Sequence, residues 1–165
     1  MKKINIFEEQ YDKNRDVTDL KNSCRGIIIK NNKILLSYEK NTENYSLPGG
    51  GREEGETDRE CCTRELLEET GLIIETDNPI LEINHFFENK ERINRYFICK
   101  VIGKTEQSLT EEEILLGTKP KWILINEILN RFSEYENWKE KDIVRYRLYF
   151  REYTALKEIL ALINL

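Results

Sequence analysis

The sequence predicts an α/β sandwich, in which strands and helices mix along the chain and pack in layers. Three observations carry this expectation. Two apolar strand pairs with tight turns lie at 24–38 and 80–102, a capped and highly charged helix lies between them, and a long amphipathic helix closes the chain. A length of 165 residues suits a single domain, 1–165, with a sizeable core.

Ile4 to Phe7 reads as a short first strand, and the polar stretch Tyr11 to Asn22 as loop. Cys24 to Lys30 and Lys33 to Tyr38 form a hairpin pattern, with Asn31-Asn32 as its two-residue turn. Asn41 to Ser46 is a polar loop that leads to Pro48-Gly49-Gly50-Gly51, a run of turn residues that lets backbone approach a ligand closely. Thr57 and Glu60 make a capping box, and Gly71 is a left-handed stop, so a helix spans about Asp58 to Thr70. Leu72 to Thr76 is a strand, and Ile80 to Phe87 with Arg92 to Ile102 is a second hairpin. Lys121 to Leu124 is a short strand before a helix from about Asn126 to Arg131. Trp122 is expected in the core, as is His85 beside Phe86 and Phe87. From 141 to 163, Tyr146, Tyr149, Tyr153, Leu156, Leu160 and Ile163 recur at helical spacing, which predicts a helix packed on the sheet, with a homodimer surface as the alternative.

Hydrophobic residues make up 39% and charged residues 35% of the chain, with a net charge of −5. An acidic balance disfavours nonspecific binding to nucleic acid or to an anionic membrane. The apolar stretches are too short to span a bilayer, and the N-terminus turns acidic at once, so a cytoplasmic protein without membrane association is expected. Cys24, Cys61, Cys62 and Cys99 have no zinc or redox spacing and read as small reduced thiols.

The chemistry concentrates between Gly50 and Leu72. Glu65, Glu68 and Glu69 share one helical face, where like charges repel unless a cation relieves them. Hard divalent cations such as Mg²⁺ or Mn²⁺ prefer such oxygen ligands. On the opposite side, Thr63 and Leu67 are expected to pack on the core, with Leu66 at the edge of their face and Cys61 and Cys62 nearer the carboxylates.

The segment fits Gly-x5-Glu-x7-Arg-Glu-apolar-x-Glu-Glu-x-Gly-apolar through Gly50, Glu56, Arg64, Glu65, Leu66, Glu68, Glu69, Gly71 and Leu72. In this it resembles the Nudix box, and the chain resembles a Nudix hydrolase. Leu47-Pro48 before the glycines, Glu53 in the loop and the Trp122 segment downstream are similar to the family's layout. The resemblance implies an α/β/α sandwich with a central mixed sheet between helices, and metal held by Glu65, Glu68, Glu69 and the Gly49 carbonyl. It also implies that Glu56 and Arg64 pair to brace the loop, beginning at Gly50, against the helix.

The implied activity is hydrolysis of a nucleoside diphosphate linked to another moiety, with water attacking phosphorus and a carboxylate taking its proton. Family members often draw that base from a later loop. Here Thr110-Glu111-Glu112-Glu113 supplies Glu113 first and Glu112 next, with Glu68 or Glu69 as further choices. Arg25, at the start of its strand, is a candidate phosphate contact, and Tyr45 a candidate stacking platform for a base. Two subgroup marks are missing: Phe87-Glu88-Asn89 stands where the ADP-ribose subgroup has a proline, and Asn89-Lys90 where dinucleoside polyphosphate enzymes have a tyrosine. A noncatalytic nucleotide sensor on the same fold is the alternative. Such proteins commonly lose box carboxylates, and this chain keeps all of them. RNA 5′-end hydrolysis is disfavoured by the acidic balance and the lack of an obvious basic patch.

Overall fold

The computed structural model describes residues 1–9, 11–14 and 16–165. Alternating apolar positions build two sheets. The first holds β1 (Lys2–Phe7), β8 (Leu81–Phe87), β9 (Lys90–Lys104), β2 (Asp19–Ile27) and β6 (Gly49–Gly51) in that order, and β7 (Leu72–Thr76) pairs with the far half of β9. It is mixed: β1 runs parallel to β8 and β2 parallel to β9, whereas β8 and β7 run antiparallel to β9 and β6 to β2. The second sheet is antiparallel, with β10 (Thr118–Leu124), β4 (Lys33–Glu39) and β3 (Ile29–Lys30) in order, and with β5 (Asn44–Ser46) added to β4.

The Asn31-Asn32 turn forms as expected, both residues taking positive φ as a tight hairpin requires. The expected strand from Cys24 to Lys30 is split, however. Residues up to Ile27 belong to the first sheet and Ile29–Lys30 to the second, so this one stretch serves both sheets. Two stretches expected as loop contain strand. Asp19 to Asn22 pairs with β9, and Asn44–Ser46 pairs with β4, because partners distant in sequence satisfy their backbone groups.

Side chains alternate between the two faces of each strand. Ile27, Ile34, Leu36 and Tyr96 face one core, with Leu47, Phe132, Tyr149, Leu156 and Ile159. Cys24, Ile28, Leu35 and Phe97 face another, with Cys61, Cys62 and Leu66 of α1 (Asp58–Thr70). Thus α1 covers one face, and α3 (Ile125–Ser133) and α4 (Ile143–Leu162) cover the other.

The buried side of α1 differs from the expected one. Cys61, Cys62, Leu66, Glu69 and Thr70 are buried, while Thr63 and Leu67 are only half-buried. The metal-type face therefore adjoins the core instead of opposing it. Trp122 is also corrected: it keeps 41% of its surface exposed, because β10 points it away from the cluster that holds Ile123. His85 is buried as expected, and the terminal helix packs Tyr146, Tyr149, Leu156 and Leu160 inward. No helix among the described residues is long and apolar enough to cross a membrane.

Candidate active site

The site begins with three glycines held flat against β2. Gly49 and Gly50 pair with Arg25 and Cys24. Gly49 sits at φ +137, and a Cβ there would lie 2.0 Å from the Cys24 carbonyl oxygen. At Gly50 a Cβ would lie 2.3 Å from a Glu65 carboxylate oxygen, so the missing side chain is the space that Glu65 occupies. Only glycine permits both approaches.

The chain then turns through 52–57 into α1, whose capping box (Thr57 with Glu60) and left-handed Gly71 form as expected. Arg64 locks turn to helix. Its Nε and Nη2 donate to Glu56 at 2.7 and 3.0 Å, and Nη2 also donates to the Gly51 carbonyl at 2.9 Å. Its Nη1 donates to Glu65 at 2.8 Å and Glu68 at 3.2 Å. The Arg64 hydrogen bond holds the Glu56 carboxyl below its usual range, although burial opposes this.

Glu69 stands at the inner end of this face, only 8% exposed. It accepts the Gly49 N–H at 2.7 Å. Burial pushes its carboxyl up to about 7, against the pull of Ser37, the Gly49 N–H and Arg25. Burial likewise raises Glu65, with Arg64 opposing. A group of carboxylates desolvated in this way is one that a cation would relieve.

Glu112 and Glu113 do not lie on a loop as expected. They belong to α2 (Glu111–Leu116), a six-residue helix with no buried side chain, capped by Thr110 and Gly117. The segment before it is pinned to the end of α1, with Thr105 N–H donating to Gly71 O at 2.7 Å and Ser108 N–H to Glu68 O at 2.9 Å. One Glu113 oxygen is engaged by the Thr110 backbone N–H and hydroxyl at 2.7 and 2.8 Å. The Glu113 charge adds slightly to the rise of Glu65 and Glu69, and Glu112 and Glu113 line the same cleft as Glu69.

Gly49, Glu69, Glu112 and Glu113 open onto a cleft of about 710 Å³. Its acidic lining is Glu39, Glu69, Glu112 and Glu113, and its basic lining is Arg25, Lys90, Arg92, Arg147 and Arg151. Arg25 thus reaches the cleft as expected, where its Nη1 donates to the Leu47 and Gly49 carbonyls at 2.8 and 3.3 Å. Tyr45 does not. It is 7% exposed, its ring packs 4.7 Å from that of Tyr38, and its hydroxyl meets Lys121 Nζ at 2.9 Å, which leaves no free face for a base. Of the three box carboxylates only Glu69 lines this cleft; a second depression of about 570 Å³, beside residues 53–56, is lined by Glu56 and Arg64 and by none of the three.

The chain matches the family model described as NUDIX domain over residues 21–146. It belongs to the Nudix hydrolase family. Its relatives include the ADP-ribose pyrophosphatase of Methanocaldococcus jannaschii, 37% identical over 124 residues covering 69% of this chain and 72% of that protein. An RNA pyrophosphohydrolase of Francisella tularensis is 26% identical over 153 residues, covering 78% and 91%. Among solved structures, a Nudix hydrolase from Nitrosomonas europaea shares the fold at a TM-score of 0.57 and 22% identity, covering 67% of this chain and 76% of that one.

Nudix hydrolases act on nucleotide-type substrates and generally use divalent metal ions. The oxygen set here, three carboxylates and a backbone carbonyl, suits such a hard cation. Among the described residues no three His, Cys, Asp or Glu side chains already surround one point. Glu65 and Glu68 are drawn to Arg64, and Glu69 to the Gly49 N–H.

Sequence reasoning missed Arg151 and Glu152. Glu152 is fully buried in α4 and accepts the Leu47 N–H at 3.4 Å. The available signal was a carboxylate three residues beyond Tyr149, within the apolar stripe of the last helix.

Proposed function

We propose that this Nudix hydrolase cleaves the phosphoric anhydride of a nucleoside diphosphate linked to another moiety, by attack of water at phosphorus. The observation that carries the reading is the packing of Glu65 and Glu69 against the glycine strand, with Arg64 fixing Glu65, Glu68 and Glu56. Glu65, Glu68, Glu69 and the Gly49 carbonyl would hold Mg²⁺ or Mn²⁺, which when bound clamps phosphate oxygens and acidifies water. Glu56, Arg64 and Gly50 keep that donor set in register. Arg25, which lines the cleft and donates to the Gly49 carbonyl, would hold a phosphate oxygen. Glu113 is the favoured general base, since it lines the cleft together with Glu69. Glu112 lines the same cleft and comes next.

The M. jannaschii relative puts ADP-ribose first in a substrate panel, although the proline of that subgroup is absent here. The F. tularensis relative adds a triphosphorylated RNA 5′ end. Release of phosphate-bearing products from such a panel, with and without Mg²⁺, tests the reading. Glu69→Gln should abolish the metal-dependent turnover and leave the circular dichroism unchanged, because Gln can still accept the Gly49 N–H. Full activity in that variant would remove Glu69 from the site. Tight nucleotide binding with no turnover of any panel member would favour the noncatalytic sensor.

A further inference from the structure

Most of α4 lies beyond residue 146, where the family match ends, yet this helix forms one side of the cleft through Val144, Arg147, Leu148 and Arg151. Arg151 is tied to Arg25 by a chain of hydrogen bonds through the Leu47 peptide. The Leu47 carbonyl accepts Arg25 Nη1 at 2.8 Å, and the Leu47 N–H donates to Glu152 Oε2 at 3.4 Å. Glu152 Oε1 in turn accepts Arg151 Nε at 3.2 Å and also Nη2. Two guanidinium groups are thereby brought to one stretch of cleft wall, next to Gly49 and Glu69.

Their charges are unequally matched: Arg151 is paired with Glu152, whereas Glu152 and Glu69 act on Arg25 only from beyond contact. Arg25 donates only to neutral oxygens, those of Asn94, Leu47 and Gly49, and has no carboxylate within ion-pair distance among the described residues. The one carboxylate between the two cations, Glu152, is bound by Arg151 and the Leu47 N–H. Tyr96 stands opposite Arg25 in register, and its wholly buried hydroxyl has no hydrogen-bond partner of ordinary geometry among the described residues. Burial, together with the charge of Arg151, holds Arg25 below the usual guanidinium value. A half-buried guanidinium with no carboxylate in direct contact, beside a second one, favours an anion between them. Planar forks of N–H donors suit phosphate oxygens in particular.

We propose that Arg25 and Arg151 form a two-guanidinium clamp for a phosphoryl group of an anhydride-linked diphosphate, completed by a helix outside the family-matched segment. This rests on the reading of the cleft as the hydrolytic site, but its test requires no turnover. With metal removed by EDTA, the full chain is titrated calorimetrically with methylenediphosphonate, a diphosphate mimic that cannot be hydrolysed. The wild type should bind it, Arg25→Gln and Arg151→Gln should each weaken binding about tenfold or more, and Arg151→Lys should fall between. Where Arg151→Gln fails to fold because Glu152 is left unpaired, Arg151→Gln with Glu152→Gln keeps an acceptor for Leu47 and gives the same readout. Affinity within twofold of wild type in the folded variant overturns the clamp, as does a wild type that does not bind the mimic at millimolar concentration. Failure of the hydrolase reading looks different: the metal-free mimic still binds through both arginines, but no anhydride is turned over.

Discussion

Glu8 shows how a single side chain stitches this molecule together. It accepts Arg147 Nε and Nη2 at 2.8 and 3.0 Å and lies 3.2 Å from His85 Nε2, which joins α4 to the start of the chain and to β8. Burial opposes its ionisation, but the close approach of His85 and the Arg147 hydrogen bonds outweigh burial and hold its carboxyl below the usual value of 4.5. A folded value below the unfolded one adds stability above about pH 4.5, which is lost as pH falls through the folded value. Glu8→Gln is therefore expected to cost about 1–3 kcal/mol at pH 7 and much less at pH 3. Urea denaturation at both pH values checks this, and an equal loss at the two would contradict the linkage. At this scale the sequence was readable wherever a residue's role depends on neighbours along one helix. The Thr57–Glu60 cap formed as its spacing implied, and the Glu56–Arg64 pair formed as the family resemblance implied. Tyr45 was not readable, because what buries it, Tyr38, Lys121 and Arg131, comes from other elements.

Among the elements, α2 is the one whose stability and use are most clearly separate. Six residues cannot hold a helix alone, and none of these is buried, so its caps and its pinning to the end of α1 maintain it. Removing the Thr110 side chain takes away one capping acceptor, worth about 1 kcal/mol, and releases a hydroxyl contact that orients Glu113. Thr110→Ala is expected to lower kcat several-fold while leaving global melting nearly unchanged, since α2 frays without opening a core. A large fall in melting temperature with unchanged kcat would show the reverse. The charged run 111–113 looked like loop from its composition, because the glutamates of a first helical turn and those of a solvated loop read alike. Its capping box and Gly117 were the overlooked signals. By contrast α1 stood out, having a box, a stop and thirteen residues between them.

The whole molecule has two apolar clusters with a shared wall, since β2, β4 and β9 each send alternate residues into both. Phe132, fully buried in the larger cluster, anchors α3 against Tyr149 of α4 at a ring separation of 5.1 Å. Phe132→Ala should cost about 3–5 kcal/mol in a urea melt. It should leave metal-dependent turnover measurable at low temperature, because α1 and the glycine strand pack on the other side; complete loss of activity in a still-folded variant would refute that independence. The sequence by itself determined the helix that carries the carboxylates, its caps and most of the strands, since each is written in local spacing or in alternation, and through its box motif it showed the family resemblance that implied the Glu56–Arg64 brace and the mixed sheet. Tertiary structure decided which face of α1 is buried, the burial that lifts Glu69 to about 7, the withdrawal of Tyr45, and the meeting of Arg25 with Arg151 across the Leu47 peptide. The physical reason is that desolvation and charge pairing depend on neighbours brought together from distant parts of the chain, and spacing along one segment does not encode those.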